Sequence, residues 1–175
     1  MPTLAARKGI PYMRTNTSAQ NVRAMTRAAL IAALYAALTL LLAPISYGEL
    51  QIRIAEALTV LPIVLPEAVP ALAVGCLLAN VLGGCTVLDI VFGTLATLLA
   101  ALCTRALRSR FALAAAMPVL FNGVMVGSVV HFAYAPVMPL PLCMLFVAAG
   151  EAIACYVLGP VVLRALGRLP SKFLH

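Results

Sequence analysis

Long apolar runs separated by short polar breaks dominate the chain from Ala28 to Leu166. A hydrocarbon layer about 30 Å thick needs about 20 residues of helix to cross it. The first run, Ala28 to Ala43, can begin near Arg23 and stops at Pro44. The second, Ile54 to Leu65, is short and carries Pro62, and the third runs from Glu67 to Leu82. Joined, these two exceed one crossing. Pro62, Pro66 and Pro70 divide them into a hairpin, because proline lacks the N–H that a continuing helix requires. Gly83-Gly84 closes the third run. A fourth goes from about Leu88 to Arg105, a fifth from Ala112 to Phe132 with a kink expected at Pro118, and a sixth from about Pro141 to Leu166. The pattern predicts an all-α membrane protein, a bundle of six transmembrane helices. A cytoplasmic leader (1–22) and a cytoplasmic tail (169–175) flank the membrane domain (23–168). Ser46 and Gly48 have the small side chains of a signal-peptide cleavage site. The long polar leader and the continuity of the run with a bundle helix favour a retained first span.

Composition agrees with this reading. Hydrophobic residues make up 64% of the 175 and charged ones 10%, against about a quarter charged in soluble domains. A net charge of +7 raises nucleic acid as a partner, but the basic residues merely punctuate the apolar runs and no aromatics are interleaved to stack bases. Five precede the first apolar run (Arg7, Lys8, Arg14, Arg23, Arg27), three fall at 105–110, three at the C-terminal end, and only Arg53 elsewhere. With six spans and both termini cytoplasmic, the inner segments hold eleven of the twelve basic residues, which is the asymmetry expected of a cytoplasmic face. Cys76, Cys85, Cys103, Cys143 and Cys155 show no CxxC pattern and no nearby histidine. They read as buried thiols rather than disulfides or metal ligands. No nucleotide-binding, metalloprotease or nucleophile-elbow motif is present. The sequence therefore predicts a non-enzyme with no catalytic residues, no metal and no cofactor.

Rare polar residues carry the remaining information, since a charge at mid-membrane costs about 2.5–3.5 kcal/mol on insertion scales and usually faces a cavity or a partner. Glu67, after Pro66, suits a helix cap, and Glu49 sits in an outer loop. Glu56 follows Arg53 at a spacing that also allows a local ion pair, and Asp89 opens the fourth helix, where a dipole role is equally open. Glu151 lies about ten residues into the sixth helix, hence roughly 15 Å deep, where no cap can use it. Its alternatives are a structural hydrogen bond or a ligand contact. Asn80 and Asn122 are placed either for interhelical bonding or for the same ligand. Gln51 and Arg53 share one side of an extended segment. Together Arg53, Glu56, Asn80, Asp89 and His131 converge on the outer face, with Asn122 and Glu151 below. This predicts a pocket for a polar ligand, open to the outside. In the first helix Ala28, Ala32 and Ala36, and likewise Ala29, Ala33 and Ala37, recur every four residues, a spacing that lets another helix approach closely.

The stretches ISYGELQIRIAEALTVLP (45–62), GCLLANVLGG (75–84) and LDIVFGTLATLLAA (88–101), with Asn122 and EAIACYVLG (151–159), resemble the QueT family. Its members are substrate-binding (S) components of energy-coupling-factor (ECF) transporters for queuosine precursors. The likeness covers about residues 23–168. Glu49 and Cys85 depart from its pattern. The resemblance implies six helices, a site near the outer surface, and localisation in a prokaryotic plasma membrane. It also implies partnership with a transmembrane coupling subunit and two cytoplasmic ATPases, docked through the Ala29/Ala33/Ala37 face. The implied substrate is a 7-deazaguanine: queuine or its cyano and aminomethyl precursors. A guanine-like edge offers paired N–H donors that a carboxylate accepts side by side. Glu151 or Glu56 suits that edge, Asn80, Asn122 or Arg53 the carbonyl, and Asp89 a cationic arm. Two other readings remain: a proton-coupled secondary transporter working through Glu151, and an intramembrane enzyme, which lacks a nucleophile or metal constellation.

Overall fold

The computed structural model describes residues 17–43 and 53–168. Gln51 and Glu49 lie outside them, as do the candidate cleavage site, most of the leader and the tail. Among the described residues the chain forms six helices and no strand. They are α1 (Thr17–Leu41), α2 (Ile54–Ile63), α3 (Ala68–Leu82), α4 (Asp89–Ala106), α5 (Phe111–Tyr134) and α6 (Leu140–Gly167). Four of them, α1, α4, α5 and α6, are long and apolar enough to cross a membrane. The six-helix count matches the sequence pattern; membrane-crossing length is met by four, while α2 and α3 are shorter.

The short α2 is wound as a 3₁₀ helix over ten residues, although such runs rarely exceed three or four. With about 2.0 Å rise per residue it reaches about 20 Å, where an α-helix of equal length reaches about 15 Å. Its residues Ala55 to Pro62 are all buried. The carbonyls left at its end are met by Arg105, whose Nη1 donates to the oxygens of Pro62 and Ile63 at 3.1 and 3.2 Å.

Glu67 does not cap α3 through its side chain. It stands at the N-cap position, but its carboxylate pairs with Arg27 of α1 at 2.5 Å, which fastens the α2–α3 turn to α1. Deeper in the bundle α1 lies directly on α3. A Cβ on Gly75 would fall 2.9 Å from the backbone oxygen of Ala32 and from Cβ of Tyr35, so only glycine permits this approach. Gly84, at φ +69°, turns the chain from α3 into α4 in a conformation costly for residues with a Cβ.

Two apolar clusters hold the helices. One joins α1, α2 and α3 through Tyr35, Leu58, Leu61, Leu72 and Cys76; the other joins α4, α5 and α6 through Ala96, Val126, Val130, Cys143 and Val147. Leu30, Val74, Leu102, Leu120, Leu145 and Val157 face outward, while Arg53, Glu56, Asn80, Asp89, Asn122 and Glu151 are buried. Apolar groups outside and ionisable groups inside suit lipid as the surrounding solvent.

The Arg27–Glu67 pair and the Arg105 contacts collect the start of α1, the end of α2 and the end of α4 at one end of the bundle. The last turns of α6 join them, since Val162 and Leu166 pack against the α1–α3 core. Residues 53–56, the 83–89 turn and the end of α5 meet at the opposite end.

Candidate functional site

Six of the seven candidate ligand residues, all but the undescribed Gln51, fall in one connected cluster. Tyr35 of α1 donates its hydroxyl hydrogen to Oε1 of Glu56 in the first turn of α2. Arg53, just ahead of α2, reaches Asp89 of α4, Nη2 to Oδ2 3.6 Å, and lies 4.0 Å through Nη1 from Cys76 Sγ. Arg53 thus makes its ion pair between the segment preceding α2 and α4, not the near-neighbour pair with Glu56 that the spacing also allowed. Asn80 of α3 donates to the backbone oxygen of Asp89 at 3.2 Å and contacts Cys76 Sγ at 3.6 Å. Asn122 of α5 donates through Nδ2 to Oε1 of Glu151 of α6 at 2.9 Å.

Local winding aims these side chains. Asp89 opens a π turn, Asp89–Gly93, and Asn122 opens another, Asn122–Val126, while a third, Ile153–Leu158, begins two residues after Glu151. An extra residue in a helical turn rotates the side chains beyond it, and such bulges gather at functional sites. The irregularity expected at Pro118 thus appears one turn later, at Asn122, within a continuous α5. Gly93, one turn beyond Asp89, keeps space open: a methyl there would lie 3.1 Å from Nδ2 of Asn80 and 3.2 Å from Oδ1 of Asp89.

The side chains of the cluster are buried. Arg53 is 4% exposed, Glu56 1%, Asn80 0%, Asp89 0%, Asn122 2% and Glu151 4%. At its outer rim the half-exposed Tyr134 donates to Oδ2 of Asp89 at 3.2 Å and accepts from the backbone N–H of Thr86 at 3.1 Å. This ties the end of α5 across the α3–α4 turn. Cys85 of that turn lies 4.0 Å from Oδ1 of Asn80. Burial, then the charge of Asp89, push its thiol up to about 11, against the opposing pull of Arg53.

Inside the cluster four oxygens have no hydrogen-bond partner among the described residues: Glu56 Oε2, Asp89 Oδ1, Asn122 Oδ1 and Glu151 Oε2. All are acceptors. A buried acceptor without a donor costs about 1–3 kcal/mol, and four together describe a surface complementary to a ligand rich in N–H groups.

The pattern of rare polar residues did not single out Tyr35, Cys76, Tyr134 or Gly93. A tyrosine inside an apolar run was the available signal, because a buried hydroxyl seeks a partner. His131 does not join the cluster; its Nδ1 lies 2.8 Å from the backbone oxygen of Met138. The two alanine stripes separate cleanly. Ala32 and Ala36 are buried and Ala28 half-buried, whereas Ala29, Ala33 and Ala37 are exposed along α1.

The model of the QueT transporter family matches residues 25–168, most of the chain. This protein belongs to that family. No curated protein and no solved structure matches it. Membership, with the membrane-capable helices, makes the chain a multi-pass membrane transport protein acting on a small molecule rather than an enzyme. Among the described residues no group of histidine, cysteine and carboxylate side chains is arranged to hold a metal.

Proposed function

We propose that the chain is the substrate-binding component of an energy-coupling-factor importer. In this reading it takes a 7-deazaguanine precursor of queuosine from outside a prokaryotic plasma membrane. A transmembrane coupling subunit and two cytoplasmic ATPases then drive delivery. The observation that carries the reading is the set of four acceptor oxygens that have no partner among the described residues in a buried polar cluster. A 7-deazaguanine presents N–H donors along its pyrimidine edge and on its pyrrole ring, and a carboxylate takes two parallel donors at once. Glu151 accepts the paired donors in this scheme, and Asn80, Asn122 and Arg53 surround the ring. The end of the bundle with Arg27, Arg105 and the exposed Arg108 and Arg110 then faces the cytoplasm by the positive-inside rule, and the cluster lies toward the outside. Exposed Ala29, Ala33 and Ala37 leave a smooth face on α1 for the coupling subunit.

Mass spectrometry of small molecules retained through purification tests the ligand, and a deazaguanine is expected. A different solute would overturn the substrate. A second reading, proton-coupled transport, draws on the Glu56 and Glu151 carboxylates, both buried and both near Asn122. Uptake into vesicles separates the two. The importer needs ATP and the partner subunits, whereas a secondary transporter runs on a proton gradient with this chain alone.

A further inference from the structure

The formal charges of the cluster do not cancel among the described residues. Three carboxylates, Glu56, Asp89 and Glu151, are each 4% exposed or less and share one guanidinium, Arg53. Arg53 forms its ion pair with Asp89, and Tyr134 adds a hydrogen bond to the same carboxylate. Glu56 and Glu151 take their hydrogen bonds from neutral donors, the hydroxyl of Tyr35 and the amide of Asn122. They also face each other electrostatically, with Arg53 the cation that opposes both. The titratable and polar groups from the surrounding helices are then Tyr35, Thr59, Cys76, Asn80, Asp89, Thr97, Asn122, Tyr134, Glu151 and Cys155, and none of these adds positive charge. Segment 44–52, which joins α1 to α2, contains no lysine or arginine. Two like charges in a low-dielectric interior repel strongly unless a cation or protons intervene. Each of the two glutamates also keeps one oxygen, Oε2, without a hydrogen-bond donor among the described residues, so both are open to a ligand.

We infer that the site takes its 7-deazaguanine as a cation, with Glu56 holding the ammonium of the ring substituent while Glu151 accepts the ring edge. The inference rests on the proposed function and narrows it: a protonated amine on the arm is required for tight binding, and a neutral arm of the same size is rejected. It also moves the arm's partner from Asp89, whose Oδ2 already faces the guanidinium of Arg53 and the hydroxyl of Tyr134, to Glu56, whose one hydrogen-bond donor is the neutral Tyr35.

Three ligands separate these ideas in titrations of the full chain in lipid nanodiscs. They are 7-aminomethyl-7-deazaguanine, its uncharged hydroxymethyl isostere and the 7-cyano compound. The amine is expected to bind at least tenfold more tightly than the hydroxymethyl isostere, which matches it in size and differs in charge. The Glu56→Gln variant is expected to bring that ratio close to one. Equal affinity of wild-type protein for the amine and the isostere overturns the inference and leaves the deazaguanine reading standing, with bound protons then balancing the glutamates. No binding of any of the three overturns both. Should Glu56→Gln fail to fold, the wild-type comparison still decides, because it needs no variant. A ratio that survives in folded Glu56→Gln removes Glu56 from the ammonium site.

Discussion

Replacing Glu151 by glutamine changes a single group at the centre of the cluster. Oε1 of Glu151 accepts from Nδ2 of Asn122 at 2.9 Å, and Oε2 has no donor among the described residues. The glutamine oxygen can keep the bond to Asn122. The new amide nitrogen then stands where Oε2 stood and turns two hydrogens toward the N–H groups of the ligand. A charge-assisted hydrogen bond worth about 1.5–3 kcal/mol is lost and replaced by a donor–donor clash. Each 1.4 kcal/mol is a factor of ten, so affinity should drop roughly ten- to a hundredfold. Stability should move the other way or not at all, because a neutral amide is cheaper than an uncompensated carboxylate inside a membrane bundle. The assay is paired: dissociation constants for queuine and its precursors, and thermal unfolding of both proteins in the same detergent. Equal constants remove Glu151 from the site. A variant that unfolds readily yet binds normally when intact makes Glu151 a structural partner of Asn122 and not a ligand group.

Separate parts of the molecule give further expected outcomes. Ala33→Leu or Ala37→Leu, on the exposed stripe of α1, should abolish co-purification with the coupling subunit and leave substrate affinity intact; an unchanged complex would remove the stripe from docking. Gly93→Ala places a methyl 3.1 Å from Nδ2 of Asn80 and 3.2 Å from Oδ1 of Asp89, so ligand affinity, measured on folded protein, should fall several-fold. Unchanged affinity would show that the space beside Asp89 stays empty when ligand is bound. Cys85, with its thiol at about 11, should react slowly with an impermeant alkylating reagent added outside at about pH 7.5. Because the thiolate is the nucleophile, its rate should rise about tenfold per pH unit up to about pH 11, and a plateau near pH 9 would contradict the burial argument. A cysteine at Ser109, in the basic turn after α4, should react only from inside; reversed labelling would invert the orientation and the outward-facing site with it.

The number and order of the helices were legible because each run of apolar residues ends at a feature that a helix cannot absorb. Pro66 parts α2 from α3, and Gly83-Gly84 parts α3 from α4, the latter through a positive φ at Gly84. Arg108 and Arg110 expose their charges in the turn before α5. Winding within the helices was not legible. Nothing in IAEALTVLPI distinguishes a ten-residue 3₁₀ helix from an α-helix, because both bury an apolar strip and the difference is one of reach: α2 must extend beside longer neighbours. The π turns at Asp89 and Asn122 are announced by no local residue pattern. The length of α1 also escaped the apolar pattern, since its polar first turns still form helix from Thr17.

Six site residues stand out in the sequence because lipid makes polarity costly, so each buried acid or amide needs a reason. The same logic does not find their partners. Tyr35 is apolar enough to sit unremarked in α1, and its role appears only when the close approach at Gly75 sets α1 against α3 and brings the hydroxyl to Glu56. Nor does spacing decide which acid Arg53 serves. Three residues separate it from Glu56 and thirty-six from Asp89, yet the ion pair forms with Asp89. Glu56 is taken instead by Tyr35, a neutral donor that satisfies one oxygen without cancelling the charge. That exchange of partners sets the ion pair on Asp89 and leaves Glu56 and Glu151 with neutral hydrogen-bond donors. The ligand chemistry of the site therefore depends on tertiary pairing, even though its acids and amides are visible as candidates in the chain itself.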